Sequence, residues 1–530
     1  MSVATEPAAG GRDPTRRRRD TLALFGWLSL VYLLGTGGHV YSPDGVMRGR
    51  TTESLVERGT LEIDGRGVPP GFLARGRGGG MVAKYEGGLS LAAVPFYLVG
   101  RALAGLASPD TARLFAGPRF LWYDPADPGD DWRFFGLGMT NVAVVAALGA
   151  LLYALALRLG YTPRAALATA LVAAFASPLW HYSKDFFAEP LAGLGLLVFA
   201  LAVERQARRA GEAGGGSTAA LAAGAGLGLS VAAKLAHLAL VPLAVLVAAW
   251  RFRRAGGGRV TGALAALSGG LALALVVPAA WNLVRFGDLW TSGYGAELGA
   301  WTTPPSTGLA GLLLSPGRGL LPHFPFVLAA LAATPIAWRR SPEWTAFAWL
   351  GLGTLLAVYC RWHGWDGGWA WGPRFLVPML PFLALAGAPL FALAGRPGRR
   401  WRLCGWALVA LSTWIALAGT VVAHTDFHQA LRRAYGGGRY LDVARWSWHH
   451  YTAIDYWRFD PGSFFFFPRA LSDPAGWWLA ALFGAGVVAA VGWGASVLRR
   501  AAGAPAAAGG KTLWIAGAIA AGTLLALVAR

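Results

Sequence analysis

An all-α, polytopic membrane protein is the fold class this sequence predicts, and three observations carry that reading. Apolar runs recur that reach the roughly 20 residues a helix needs to cross a bilayer. Of the 530 residues, 55% are hydrophobic and only 14% are charged. The basic residues gather at the ends of the apolar runs, as in Arg16–Arg19, Arg205–Arg209, Arg251–Arg254 and Arg396–Arg402. The net charge of +20 therefore reads as positive-inside anchoring. A nucleic-acid groove, which would gather those cations along one surface, is excluded.

Residues 1–20 form a basic tail without a cleavable signal pattern, so the first run, about Thr21–Val40, is expected to be an uncleaved anchor with a cytoplasmic N-terminus. The next run, Gly88–Ala107, opens on Gly87-Gly88 and carries Pro95 and Arg101, so it reads as a juxtamembrane or re-entrant helix. With that run on the outer side, every later basic cluster falls inside. Further spans are expected at about Phe135–Leu157, Ala165–Pro178, Pro190–Val203, Ala219–Ala236, His237–Trp250 and Val260–Leu283. They continue with Phe324–Trp338, Thr345–Tyr359, Leu376–Ala394, Leu403–Ala423, Trp477–Val497 and Thr512–Ala529, giving a bundle of about 11–13 transmembrane helices. The organisation that follows is a membrane module over 21–423 with a first outer loop at 41–134, an outer loop at 424–475, and C-terminal helices over 476–530. Gly- and Ala-rich spans suit close helix contacts. No internal repeat is visible, which counts against a transporter built from related halves. Cys360 and Cys404 fall near opposite faces, too far apart for a disulfide.

The outer loops hold the residues able to do chemistry. Asp44, in "YSPDGVMR", follows the first span, and its bland reading is a helix N-cap. The loop beyond it brings further acids and Lys84. In "HYSKDFFAEPL", Lys184, Asp185 and Glu189 cluster at the mouth of two spans. A helical turn would set the two carboxylates on one face; the bland reading is a solvated loop with a Lys–Asp pair. Glu189-Pro190 at the start of an apolar run places a charge where burial is costly. "RWHGWDGGWAWGPRF" packs Trp365, Asp366, Trp369 and Trp371 around glycines just before a span. An aromatic belt explains the tryptophans, but not the glycines leading to Arg374, which is placed to fork onto a phosphate. Lys84, Lys184 and Lys234, three of the chain's four lysines, fall in the outer half, as a compact ammonium near an anionic ligand would. "HTDFH", His424–His428, reads as a surface helix, since two histidines and one acid make a poor metal signal. Phosphate-cradling glycine loops, serine elbows and CxxC pairs are absent.

Together these stretches resemble the GT-C superfamily of polyprenyl-phosphate-dependent membrane glycosyltransferases, and within it the family 39 branch that includes protein O-mannosyltransferases and the lipid A aminoarabinose transferase. The resemblance is carried by Tyr41-Ser42-Pro43-Asp44, "KYEGGLSLAAVPFYLVG" from Lys84, "SPLWHYSKDFFAEPL", "RFGDLWTSGY", "LLLSPGRGLL" and "GGWAWGPRFLVPMLPF", over roughly Leu22–Phe382. It implies transfer of a sugar from a polyprenyl-phosphate donor to an acceptor at the extracytoplasmic face of a bacterial inner membrane, with inversion at the sugar carbon. Asp44 would be the general base, within about 3 Å of the acceptor hydroxyl. Lys84 and Arg374, with Lys184 and Arg318, would hold the lipid phosphate and stabilise charge on the leaving group. Glu189 or Asp185 would be a second acid, and Tyr41, Tyr85, Glu86, Tyr182, Trp365, Asp366, Trp369 and Trp371 would line the substrate cavity. The partners implied are the donor lipid, the bilayer and an unidentified acceptor, with no nucleic acid and no required cofactor. Relatives often carry an Asp-Glu pair where Gly45 here follows Asp44, which leaves the acceptor class and a divalent metal open. The alternative is a transporter or flippase of lipid-linked saccharides. That reading calls for ionisable residues deep in several spans, whereas here the spans are nearly free of charge away from their ends, Lys234 being a partial exception. A catalytically inactive scaffold is a third reading.

Overall fold

In the computed structural model, residues 14–38, 40–66, 68–106, 130–209, 217–256, 260–392, 399–459 and 477–503 are described. The expected span Thr512–Ala529, and parts of the 1–20 tail and of the loops at 41–134 and 424–475, lie outside the described residues. The chain is an all-α polytopic membrane protein. In order its helices are α1 (Pro14–Leu34), α2 (Pro43–Arg58), α3 (Gly88–Ala92), α4 (Val94–Leu106), α5 (Asp130–Arg158), α6 (Pro163–Phe175), α7 (Leu179–Tyr182), α8 (Glu189–Arg209), α9 (Thr218–Ala233) and α10 (Val241–Arg254). They continue as α11 (Val260–Phe286), α12 (Pro305–Leu314), α13 (Leu320–His323), α14 (Phe326–Arg340), α15 (Pro342–Tyr359), α16 (Leu380–Ala386), α17 (Pro389–Ala392), α18 (Arg399–Val421), α19 (His424–Trp446), α20 (Thr452–Asp455) and α21 (Trp477–Ala501). Among the described residues the strands are two short ones, β1 (Leu73–Arg75) and β2 (Met81–Ala83), paired antiparallel just before Lys84.

Seven helical segments among the described residues are long and apolar enough to cross a membrane: Asp130–Arg158, Glu189–Arg209, Leu235–Arg254, Val260–Phe286, Arg374–Ala392, Leu403–Val421 and Ala481–Ala501. Several segments expected as spans fold as shorter apolar helices, α6 and α9 among them. Helix α1 reaches 21 residues but spends its first turns on Arg16–Arg19. The Gly88–Ala107 run is divided at Ala93 into helices of 5 and 13 residues. Thirteen residues rise about 20 Å, short of the ~30 Å hydrocarbon core.

Helix α5 is the organising element, because it packs against α1, α4, α6 and α8 at once. Its Leu152, Tyr153, Leu155 and Ala156 are fully buried. Small residues decide the other close crossings. A Cβ on Gly224 or Gly270 would run into the backbone of the facing helix, so α9 and α11 approach as only glycine permits. The outward face of α11 shows Leu273, Val276 and Leu283, which suits lipid as solvent. Both cysteines are free thiols.

Candidate active site

The site begins where α1 ends. Ser42 caps α2, its hydroxyl accepting from the Gly45 N–H at 3.1 Å, with Pro43 at the first helical position. The cap reading of Asp44 is therefore corrected: the serine two residues earlier takes that role, and Asp44 sits in the first turn with its carboxylate directed elsewhere. Its Oδ2 accepts from Arg374 Nη2 at 2.6 Å and its Oδ1 from the Tyr85 hydroxyl at 2.6 Å.

Arg374 is the hub. Its Nε donates to Glu189 Oε1 at 2.9 Å and its Nη1 to the Gly367 carbonyl at 3.1 Å, so each of its three nitrogens is engaged. The guanidinium also lies 4.2 Å from the Phe187 ring centre. Gly367, Gly368 and Gly372 have φ of 75°, 68° and 64°, left-handed conformations that side chains resist. The glycines preceding the span thus let the backbone turn back so that Gly367 can cap the arginine that follows. Glu189, 1% exposed, also pairs with Lys234 Nζ at 3.2 Å.

Burial alone would push the Asp44 carboxyl up. The Arg374 charge, the hydrogen bonds from Tyr85 and Arg374, and the nearby Arg48 more than offset it, holding Asp44 well below the usual carboxylate range. The Tyr85 phenol is raised well above its ordinary value by burial and by the Asp44 charge.

Around this core lies a second ring of charge. Arg48 is 1% exposed, stacks 4.6 Å from the Tyr85 ring centre and donates to the Glu86 carbonyl at 2.8 Å. Its Nη2 pairs with Glu86 Oε2 at 3.6 Å, and its Nε makes no hydrogen bond. Glu86 Oε1 accepts from the Leu235 N–H at 3.2 Å. Lys84 pairs with Glu297 at 2.9 Å. The Arg285–Tyr294 segment wraps the Lys84–Glu86 strand end: Arg285 Nη1 donates to the Ala83 and Tyr85 carbonyls at 2.7 and 2.9 Å, and the Tyr294 ring sits 6.3 Å from that of Tyr85.

Asp185 and Glu189 do not share a helix face, because the chain between them is non-helical. Asp185 instead accepts from the Phe186 and Tyr41 N–H groups at 2.7 and 3.2 Å and tethers the segment ahead of α2. Burial raises its carboxyl to about 7, against those N–H groups and Arg374, which lower it. Lys184 is buried and donates to the Thr420 carbonyl at 2.7 Å rather than lying with Asp44. Arg318 donates to the carbonyls of Ala370 and Gly368 and contacts His428 Nε2 at 3.0 Å, bracing the glycine-rich loop from below.

The remaining expected lining residues support the loop. The Tyr182 hydroxyl donates to the Trp371 carbonyl at 2.9 Å, and the Tyr41 hydroxyl to the Gly37 carbonyl at 2.9 Å. Asp366 pairs with Arg445 at 3.0 Å, and the Trp369 indole donates to the Tyr440 hydroxyl at 2.7 Å. Trp371 is fully buried, and Trp365 packs 5.6 Å from Trp446.

"HTDFH" is helical, but the surface expectation for it is corrected. His424 and His428 are buried, because their i, i+4 spacing lays both rings on the face that meets the tryptophan loop. His428 stacks on Trp369 at 5.4 Å, and His424 lies 5.3 Å from His181. Burial lowers both histidines well below their ordinary value, so they pack as neutral rings. Among the described residues no three His, Cys, Asp or Glu side chains converge as a metal site.

Two contributors were not singled out from the sequence as site residues, Arg48 and Arg285, while Lys234 was marked only as one of the lysines in the outer half. Arg48 was the most legible, since i+4 from Asp44 on a helix sets the two on one face. Lys234 and Arg285 reach the site from spans folded against it, a convergence that neither the lone lysine nor the start of "RFGDLWTSGY" shows by itself.

No family model and no curated protein matches the chain. Among solved structures it is similar to ArnT from Cupriavidus metallidurans in the apo state, at 16% identity over 96% of this chain and 76% of that chain, with a TM-score of 0.45. It is also similar to ArnT from Cupriavidus metallidurans bound to undecaprenyl phosphate, at 15% identity over 94% of this chain and 87% of that chain, with a TM-score of 0.43.

Proposed function

We propose that the chain is a GT-C-type glycosyltransferase that moves a sugar from a polyprenyl-phosphate donor to an acceptor hydroxyl or amine at the extracytoplasmic face, with Asp44 as general base. One observation carries the reading: Asp44 and Arg374, 330 positions apart, meet at 2.6 Å beside Lys234 and Arg48, the latter ion-paired with Glu86 and with its Nε free of hydrogen bonds. An acid is thereby set against cations able to receive a phosphate.

The chemistry follows from competition for Arg374. A donor phosphate draws the guanidinium away from Asp44 by charge-assisted hydrogen bonds. Burial then acts on the Asp44 carboxyl with less opposition, and its pKa rises toward the range a general base needs. The acceptor atom attacks the sugar carbon while the bond from that carbon to the lipid-phosphate oxygen breaks. Asp44 takes the acceptor proton, and the phosphate departs on the lipid with the bonding pair, stabilised by Arg374 and Arg48. A single displacement inverts the sugar carbon. Glu189, held by Arg374 and Lys234, keeps the hub oriented through the exchange.

Asp44→Asn, nearly isosteric, should abolish transfer from polyprenyl-phosphate sugars by the reconstituted protein while it still elutes as a folded protein, with its unfolding midpoint lowered by loss of the Arg374 pair. Full transfer by that variant sinks the assignment. Mass spectrometry of lipid-linked sugars in cells with and without the protein would identify the sugar.

A further inference from the structure

At the end of the bundle opposite Asp44, the C-termini of α5, α8, α10 and α14 meet the N-terminus of α15. Glu189 at the site and Glu204 at this far end stand on the same helix, about 22 Å apart along its axis. A cavity of about 230 Å³ opens here, lined by Arg158, Arg251, Arg254 and Arg340 with Glu204 and Glu343.

The charges in it do not balance. Arg251 saturates Glu204 with bonds of 2.7 and 3.0 Å, and the Trp344 indole adds a third at 2.7 Å. Arg254 pairs with Glu343 at 2.9 Å. That leaves two guanidiniums with no carboxylate. Arg340 donates to the Leu159 and Gly160 carbonyls and lies 4.4 Å from the Tyr161 ring centre, all neutral partners. The Arg158 guanidinium makes no hydrogen bond or ion pair among the described residues; the contact at this residue is its carbonyl, which accepts from Arg208. Ser341, at the N-cap of α15, is 6% exposed, and its hydroxyl makes no capping bond. Pro342, first in α15, has no N–H, so the first turn presents the N–H groups of Glu343 and Trp344 beside the uncompensated arginines.

The geometry points to a second ligand site, in which Arg158, Arg340 and the Ser341 end of α15 bind a phosphate oxyanion. The cavity would hold roughly eight waters at ~30 Å³ each, so it admits an esterified phosphate as well as the free ion. Two sources share that chemistry: an anionic phospholipid headgroup in the adjoining leaflet, for which a basic pocket between helix ends is suited, and soluble phosphate. This site stands apart from the proposed transfer reaction and does not depend on it.

The full-length protein in nanodiscs separates the sources. Native mass spectrometry should show phosphatidylglycerol retained over phosphatidylcholine if the lipid is the ligand. Inorganic phosphate should raise the unfolding temperature above that in chloride of equal ionic strength if the ion is. Arg158→Gln should weaken whichever response is seen by roughly tenfold, the loss of a charge-assisted hydrogen bond. Arg158→Lys, which keeps the charge without the fork, should weaken it less and serves if the glutamine variant does not fold. A wild-type protein with no preference for phosphatidylglycerol and no response to phosphate overturns the proposal. So does an Arg158→Gln protein, folded as judged by circular dichroism, that responds as wild type does.

Discussion

Replacing Arg374 by glutamine is the most informative perturbation of the hub. The guanidinium is 7% exposed and neutralises Asp44 at 2.6 Å and Glu189 at 2.9 Å. Removing one member of a buried pair strands the other, at a cost of about 3–5 kcal/mol. Glu189 keeps Lys234 at 3.2 Å, so most of the stranded charge is Asp44, and the loss should fall at the lower end of that range. If so, Asp44→Asn should be partly restorative in the Arg374→Gln background, with a coupling of about 1–3 kcal/mol between the two sites. The sign with pH also inverts. In the wild type the Asp44 pKa is depressed, so its stabilisation is present above the unfolded value near ~4 and is lost as pH falls through the folded one. In Arg374→Gln burial is left with less opposition, the protonated form is favoured, and acidification toward pH 5 should recover stability. The assay is the unfolding midpoint of the wild type, both single variants and the double variant, in one detergent at pH 7.5 and pH 5. Additive single-variant effects, or an Arg374→Gln protein further weakened by acid, would refute the charge argument.

Other outcomes follow from the same contacts. Asp185 is raised to about 7 by burial, so its unfavourable ionisation grows between the unfolded value near ~4 and pH 7 and is constant above that. Asp185→Asn should therefore raise the unfolding midpoint at pH 8 relative to the wild type, with the difference shrinking toward pH 4; a difference that ignores pH contradicts this. Ser42→Ala should cost about 1 kcal/mol as an N-cap loss, and the same loss in Asp44→Ala but not in Ser42→Ala would restore Asp44 as the cap. Gly224→Leu should destabilise by about 1–3 kcal/mol through overpacking at the α9–α11 crossing, and wild-type thermal stability in that variant would dismiss the close approach.

How much was legible in the sequence depended on whether the signal was local. Asp44, Glu189 and Arg374 each stood out by an oddity of their own neighbourhood: an acid at the exit of an apolar run, Glu-Pro opening a span, and an arginine behind paired glycines. Their convergence was not visible, since 145 positions separate Asp44 from Glu189 and 185 separate Glu189 from Arg374. Lys184 and Arg318 looked like anion binders for the same local reasons, yet their partners proved to be backbone carbonyls of distant segments. Helix lengths were less legible than helix positions. Hydropathy marks apolar runs, but where Ala93 or Lys234 interrupts one, the break is set by what packs against it.

The sequence by itself determined a helical membrane bundle, because twenty-residue apolar runs have no other way to satisfy their backbone groups in lipid. It also determined which end of the helices carries the arginines. The tertiary structure alone decided which charges meet. A buried carboxylate needs a partner, and whether Asp44 finds Arg374 or Lys84 depends on side-chain directions across helices that share no sequence neighbourhood.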